Sequence, residues 1–226
     1  VLDGDGLDDV GGVNIRGQYP DLQARISRPV GPVNFSMGMQ LREYGYDNNQ
    51  GTGNTTVLAG ASDDAIGWGL FPEISIPMGM DTLYAGLAYT VGGRNTNINH
   101  VLWTGGRGDM GTIDPNTTNI QNTRTYSFHS YYTHWWNDTT RSTLNLHGAN
   151  SNPSDLSVGG DDTTPPLTKW RTVSGNVVWS LAPRVTTGVG VVYNTALFRG
   201  DNLNTSEDGD ESSTALEGHW RVTVTY

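Results

Sequence analysis

The sequence predicts an all-β fold, an antiparallel transmembrane β-barrel with short turns at one end and long loops at the other. Three observations predict it. Nine segments alternate apolar and polar residues with a period of two. The connections between them alternate short, long, short, long. The face opposite the apolar one carries small polar residues and Arg, which suit a wet lumen. A soluble sandwich would use the apolar face as its core, but it has no reason to sort its loops by length onto one side.

The segments run in order along the chain. Segment A, roughly 21–29, sets Leu22, Ala24 and Ile26 against Gln23, Arg25 and Ser27. Segment B, roughly 33–45, sets Val33, Phe35, Met37, Met39 and Leu41 against Asn34, Ser36, Gly38, Gln40 and Arg42. Segment C, roughly 65–76, sets Ile66, Trp68, Leu70, Ile74 and Ile76 against Gly67, Gly69, Glu73 and Ser75. Segment D, roughly 82–92, sets Leu83, Ala85, Leu87, Tyr89 and Val91 against Gly86, Ala88 and Thr90. Segment E, roughly 123–136, is ambiguous: Tyr126, Phe128, Tyr132 and Trp136 make one side, yet Tyr131 and Trp135 sit opposite. Segment F, roughly 139–149, sets Leu144 and Leu146 against Arg141, Thr143, Asn145 and His147. Segment G, roughly 169–181, sets Val173, Val177, Trp179 and Leu181 against Thr172, Ser174, Asn176 and Ser180. Segment H, roughly 185–198, sets Val189, Val191 and Tyr193 against Gly188, Gly190 and Asn194. Segment I, roughly 214–226, sets Leu216, Trp220, Val222, Val224 and Tyr226 against Glu217, His219, Arg221, Thr223 and Thr225. No stretch carries the i, i+3, i+4 apolar stripe of a helix, and Gly and β-branched residues spread through every segment.

The short connections are Gly31-Pro32, Pro77 to Asp81, Asn137-Asp138 and Ala182-Pro183-Arg184; the long ones are roughly 46–64, 93–122, 150–168 and 199–213. In outer-membrane barrels, periplasmic turns are short and extracellular loops long, and about 9–11 tilted residues cross the bilayer. Tyr89, Tyr126, Trp136, Trp179, Tyr193 and Tyr226 stand on the apolar side near segment ends, where an interfacial aromatic girdle belongs.

Composition narrows the function. The chain has 226 residues, no Cys, 13 basic and 23 acidic residues and a net charge of -10. It offers no disulfide framework and no Cys-based metal site. The acidic balance argues against nucleic acid as a partner. No run of about 18 apolar residues makes a transmembrane helix, and Val1-Leu2-Asp3-Gly4-Asp5 does not read as a signal peptide.

Parity places eight polar residues on the lumen side: Arg25, Arg42, Glu73, Arg141, His147, Glu217, His219 and Arg221. Four Arg against two Glu make that face locally positive, and Arg lining a constriction favours anions. The four Arg would form a ladder through the pore, with Arg141 low, Arg25 and Arg221 near the middle and Arg42 high. The competing reading is that they merely pair with Glu on neighbouring strands.

The chain ends Trp220-Arg221-Val222-Thr223-Val224-Thr225-Tyr226, an alternating strand with a terminal aromatic. This looks like the assembly signal of bacterial outer-membrane barrels. More narrowly, the chain resembles the DcaP-like trimeric porins. The stretches that carry the resemblance are Pro20 to Ile26, Leu41-Arg42-Glu43, Gly67-Trp68-Gly69, Trp136 to Leu144, Asn176 to Ser180 and Pro183-Arg184-Val185. The ending departs from the group, with Thr225-Tyr226 where Ser-Phe is expected. The resemblance implies a homotrimer in a Gram-negative outer membrane, in contact with the lipid bilayer and lipopolysaccharide. Single-chain barrels of this kind have an even number of strands, so nine strands suggest the C-terminal part of a sixteen-stranded porin of about 400 residues. On this reading 1–20 is an acidic extracellular loop segment and 21–226 the C-terminal part of the barrel.

Two further features are set beside this. Asp3, Asp5 and Asp9 lie in an Asp-Gly run that could group oxygen ligands for Ca²⁺, against the plainer reading of a solvated acidic loop; no other cofactor is expected. Five His raise the question of a Ser-His barrel lipase, but no spacing forces such a meeting. The expected function is that of a non-enzymatic porin passing small hydrophilic solutes, small anions or carboxylates among them. The alternatives are an autotransporter-type or adhesive surface barrel and an outer-membrane barrel lipase.

Overall fold

The computed structural model describes residues 14–16, 21–47, 62–92, 111–113, 119–152, 167–198 and 211–225. Twelve strands form, and no helix occurs among the described residues. They are β1 (Asn14–Arg16), β2 (Leu22–Val30), β3 (Val33–Asp47), β4 (Ser62–Met78), β5 (Asp81–Val91), β6 (Gly111–Ile113), β7 (Ile120–Asn122), β8 (Arg124–Asn137), β9 (Thr140–Asn152), β10 (Leu167–Ala182), β11 (Val185–Phe198) and β12 (Glu211–Val224). Ten of these join one sheet. Because β1 and β2 both pair with β3, they share a lane, and the sheet is nine strands wide. After that edge lane come β3, β4, β5, β8, β9, β10, β11 and β12, each antiparallel to its neighbour. Among the described residues the first and last lanes pair on one side only.

Segments A to I correspond to β2, β3, β4, β5, β8, β9, β10, β11 and β12 in that order. Three differences stand out. Asn14–Arg16, expected inside the loop segment 1–20, is strand and continues the edge lane. Arg16 faces Gly45 and Leu22 faces Leu41, so this lane carries two surplus residues between those points. The connection expected over 93–122 contains a ribbon, β6 against β7. Strands also outrun the apolar alternation at the long-connection end, β4 starting at Ser62 and β9 reaching Asn152. Ladder hydrogen bonds join backbone groups and need no apolar side chain, so pairing continues where the apolar pattern stops.

Four two-residue turns stand together at one end: 31–32, 79–80, 138–139 and 183–184. Gly31 and Gly79 hold φ of 62° and 68° at the first turn position, a conformation that suits tight hairpins and needs glycine. Asn137 closes its turn with its side chain: Oδ1 accepts from the Thr139 backbone N–H at 2.9 Å and from the Thr139 hydroxyl at 2.8 Å. Arg184, after Pro183, holds φ of 69° without the freedom of glycine. Pro72 interrupts the β4–β5 ladder, which is paired at Leu70–Tyr89 and resumes at Glu73–Gly86, because Pro has no N–H to donate.

Register sorts side chains onto two faces with inverted burial. Leu87, Leu144 and Val191, on interior strands of the sheet, are 59%, 49% and 53% exposed. Thr90, Thr125 and Thr172 on the opposite face are 0%, 6% and 7% exposed. The side chains of the polar face shield one another, as on the concave side of a curved sheet, while the apolar face is bare. A soluble sheet would bury that apolar face.

The apolar face ends in aromatics. Toward the long connections Trp68, Tyr89 and Tyr126 form a chain, with centroids 5.3 Å and 4.8 Å apart. Toward the turns, the Trp136 indole donates to Ser142 Oγ and the Trp220 indole to Thr187 Oγ1, both at 3.0 Å. Tyr132 O–H donates to Asp81 Oδ2 at 2.7 Å. Their polar tips find partners within the sheet, and the rings face outward. Tyr226 lies outside the described residues.

Candidate functional site

Cross-strand pairing carries one face through the whole sheet. Arg25 stands opposite Gly38, Gly38 opposite Phe71, Glu73 opposite Gly86, and Gly86 opposite His129. His129 stands opposite His147, His147 opposite Thr172, Thr172 opposite Asn194, and Asn194 opposite Ala215. With the period of two, Arg25, Arg42, Glu73, Arg141, His147, Glu217, His219 and Arg221 all project from this polar face.

Their surroundings differ. Arg25 pairs with Glu73 at 2.5 Å, reaching across Gly38 of the intervening strand. Arg42 takes Asp21 in a two-pronged bond, with Nε 2.8 Å from Oδ1 and NH2 on Oδ2. Arg141 lies over the Trp135 ring, 5.4 Å from its centroid. Glu217, His219 and Arg221 stand along β12 and are exposed. A Cβ at Gly190 would collide with the His219 imidazole, so that ring sits over the glycine; His129 sits over Gly86 in the same way. Asp21 and Asp63 share the polar face. Among residues with described side chains this face therefore carries four Arg and four carboxylates rather than a two-to-one excess. The carboxylates of Asp21, Asp63 and Glu73 lie on the β2–β4 side. Arg141 and Arg221 stand near the turn end of β9 and β12, Arg221 opposite Gly188 rather than near the middle as expected, with no ion pair to a carboxylate among the described residues.

A row of rings crosses the middle of this face. Tyr131 stacks on Tyr84 at 4.7 Å and 9°, Tyr84 on His129 at 5.3 Å, His129 on His147 at 6.3 Å, and His147 meets Trp170 at 6.4 Å. Hydroxyl and amide pairs fill the space between: Thr172 to Asn194 at 2.5 Å, Asn145 to Ser174 at 3.2 Å and Ser27 with Ser36 at 2.8 Å. The sequence reading missed Tyr84, His129 and Trp170 as members of this face. Parity held the signal, since Tyr84 shares it with Gly86 and Ala88, but these three rings were assigned to neither face. Asp21 was missed as a partner because only the fold brings it beside Arg42.

Ile120–Asn122, the described residues just before β8, lie against the same face. The Ile120 backbone N–H donates to Asp63 Oδ2 at 2.7 Å. Asn122 Nδ2 donates to Ile66 O at 3.1 Å, and Tyr44 O–H donates to Asn122 Oδ1. Tyr44 and Asp63 project from the polar face, so Ile120–Asn122 crosses that face near the long connections.

On the apolar face, His134 Nδ1 sits 2.8 Å from Asp81 Oδ2, with Ser142 opposite His134 in register. The Ser142 hydroxyl accepts the Trp136 indole hydrogen bond, so this trio serves the aromatic rim. The Asp-Gly run with Asp3, Asp5 and Asp9 lies outside the described residues. Among the described residues no group of three or more His, Asp or Glu could hold a metal ion.

No protein-family model and no curated protein matches the chain in sequence. A solved structure does match in fold: the crystal structure of the outer membrane channel DcaP of Acinetobacter baumannii, with a TM-score of 0.68 and 17% identity. The match covers 96% of this chain and 54% of that one. The chain thus has the fold of an outer-membrane channel wall and spans about half the length of that channel.

Proposed function

We propose that the chain forms part of an outer-membrane porin that passes small hydrophilic solutes by diffusion, the polar face lining the lumen. One observation carries this reading: the inverted sheet, whose bare apolar face with aromatic rims suits lipid and whose polar face suits water. The likeness in fold to a channel supports it. The pore is weakly selective for anions, small carboxylates among them, because Arg141 and Arg221 stand near the turn-end mouth without a carboxylate partner, and guanidinium takes carboxylate in a two-pronged bond. The wall belongs to a homotrimer in a Gram-negative outer membrane, with the turns on the periplasmic side.

Reconstitution in planar bilayers tests the proposal. Stepwise conductance that scales with salt concentration is expected, with reversal potentials toward the anion under a KCl gradient. Absence of conductance overturns the porin reading, and a cation-directed potential overturns the selectivity. Unheated detergent gels should show a heat-labile oligomer of three subunits, and a monomer under every mild condition removes the trimer alone.

A further inference from the structure

The geometry points to a second ligand, on the apolar face: the phosphate groups of an outer-leaflet lipopolysaccharide, held by Arg124, Lys169 and Arg171. The inference rests on the outer-membrane reading, which supplies the lipid. In register, Tyr126, Asn150 and Lys169 make one row across β8, β9 and β10, and Phe128, Gly148 and Arg171 make the next. Arg124 stands one step beyond Tyr126. All three cations therefore share the outward face with Tyr126 and Phe128 and gather at its long-connection end. Arg124 and the pair on β10 are two strand spacings apart and offset along the strands, about 12 Å to Lys169 and about 16 Å to Arg171 between backbones.

Arg171 is fixed in place. Its NH1 donates to the carbonyls of Ala149 at 2.8 Å and Trp170 at 2.7 Å, and its NH2 donates to Asn150 Oδ1 at 3.0 Å. None of these acceptors carries a charge, so the cation is held but not neutralised. Its side chain lies over Gly148, where a Cβ would stand 2.9 Å from Arg171 Cδ. Lys169 and Arg124 are exposed. Among residues with described side chains, no Asp or Glu stands on the outward face of β5, β8, β9, β10 or β11 at this end. The outward carboxylates are Glu43 and Asp64 on β3 and β4, and Asp81 at the turn end. A chain with a net charge of -10 and 13 basic residues thus sets three cations on its lipid-facing side around the aromatic rim, Arg124 one step beyond Tyr126, Lys169 level with it and Arg171 one step inside it.

One fixed guanidinium with an exposed guanidinium and an exposed ammonium beside it is suited to phosphate. The ligand is a lipid rather than free phosphate because the same face continues into bare apolar side chains: Phe128 is 40% and Val173 46% exposed. Phosphate at the cations and acyl chains along that shelf match an acylated, phosphorylated headgroup.

The test uses the intact protein purified from membranes in mild detergent, titrated with bis-phosphorylated lipid A and followed by native mass spectrometry. The Arg124→Gln/Lys169→Gln pair, which spares the carbonyl bonds of Arg171, should weaken lipid A binding by about tenfold or more. Zwitterionic phosphatidylethanolamine should bind the variant and the wild type alike. Dephosphorylated lipid A should bind the wild type as weakly as lipid A binds the variant. Equal binding of lipid A by variant and wild type overturns the inference. So does displacement of lipid A by millimolar inorganic phosphate, which would mark a simple anion site. Conductance of the variant should be unchanged, so a failed porin reading shows as missing conductance and a failed lipid site as unaltered lipid A binding.

Discussion

Arg25 on β2 and Glu73 on β4 join at 2.5 Å across β3, where Gly38 faces Arg25 and Ser36 faces Glu73. The Arg25 side chain is 61% exposed, so the pair contributes little to stability, about 0–1 kcal/mol. In the proposed pore its weight lies in the field of the lumen. Arg25→Gln leaves the Glu73 charge bare and should move the reversal potential toward cations. Glu73→Gln should move it toward anions, and the double variant should return close to wild type. Additive shifts with no return would show that the two charges act separately.

Arg141 and Arg221 have no carboxylate partner among the described residues, so neutralising them should have a larger effect on selectivity than neutralising Arg42, which is tied to Asp21. The Arg141→Gln/Arg221→Gln variant should lose anion preference in reversal-potential measurements. A larger loss from Arg42→Gln would contradict the division drawn here between paired and unpaired guanidiniums.

The two faces can be tested at adjacent positions. Leu144 faces outward and Asn145 faces the polar side, where it bonds Ser174. Leu144→Arg places a charge on the lipid face and should cost about 2–4 kcal/mol near the bilayer midplane, seen as lower yield of folded, heat-modifiable protein. Asn145→Arg should fold and increase anion preference. The opposite outcome at this pair would reverse the faces.

Glycines set the room left for the His rings. Gly86→Ala or Gly190→Ala would push His129 or His219 off the wall into the polar space. Single-channel conductance should fall in each case, while the matching His→Ala change made together with the Gly→Ala change should restore it. A pore unaffected by either glycine change would show that these rings do not limit passage.

The return limb of the β5–β8 connection is tied down by Asn122 through Tyr44 and Ile66. Asn122→Ala removes both ties and should raise conductance or its noise without changing the folded yield. Quiet, unaltered channels would mean that this limb does not limit passage.

The alternation by itself determined the nine long strands and their order but not β1, β6 and β7, the sorting of turns and long connections to opposite ends, and which side chains share a face. All three follow from the period of two, which a strand carries before it has any neighbour. The bounds of β11 were legible to the residue, because its apolar run stops where its pairing stops. The ends of β4 and β9 were not, since pairing there continues through Ser62, Asp63 and Asn150 by backbone bonds alone. Tertiary structure alone decided which residues meet across strands: Asp21 with Arg42, Tyr84 with Tyr131, Asn122 with Tyr44. Those meetings depend on strand order, register and the path of the long connection, and a one-residue slip in register would dissolve each of them. Parity names the face a side chain belongs to. The charge that stands free on that face is set by the neighbour it finds there.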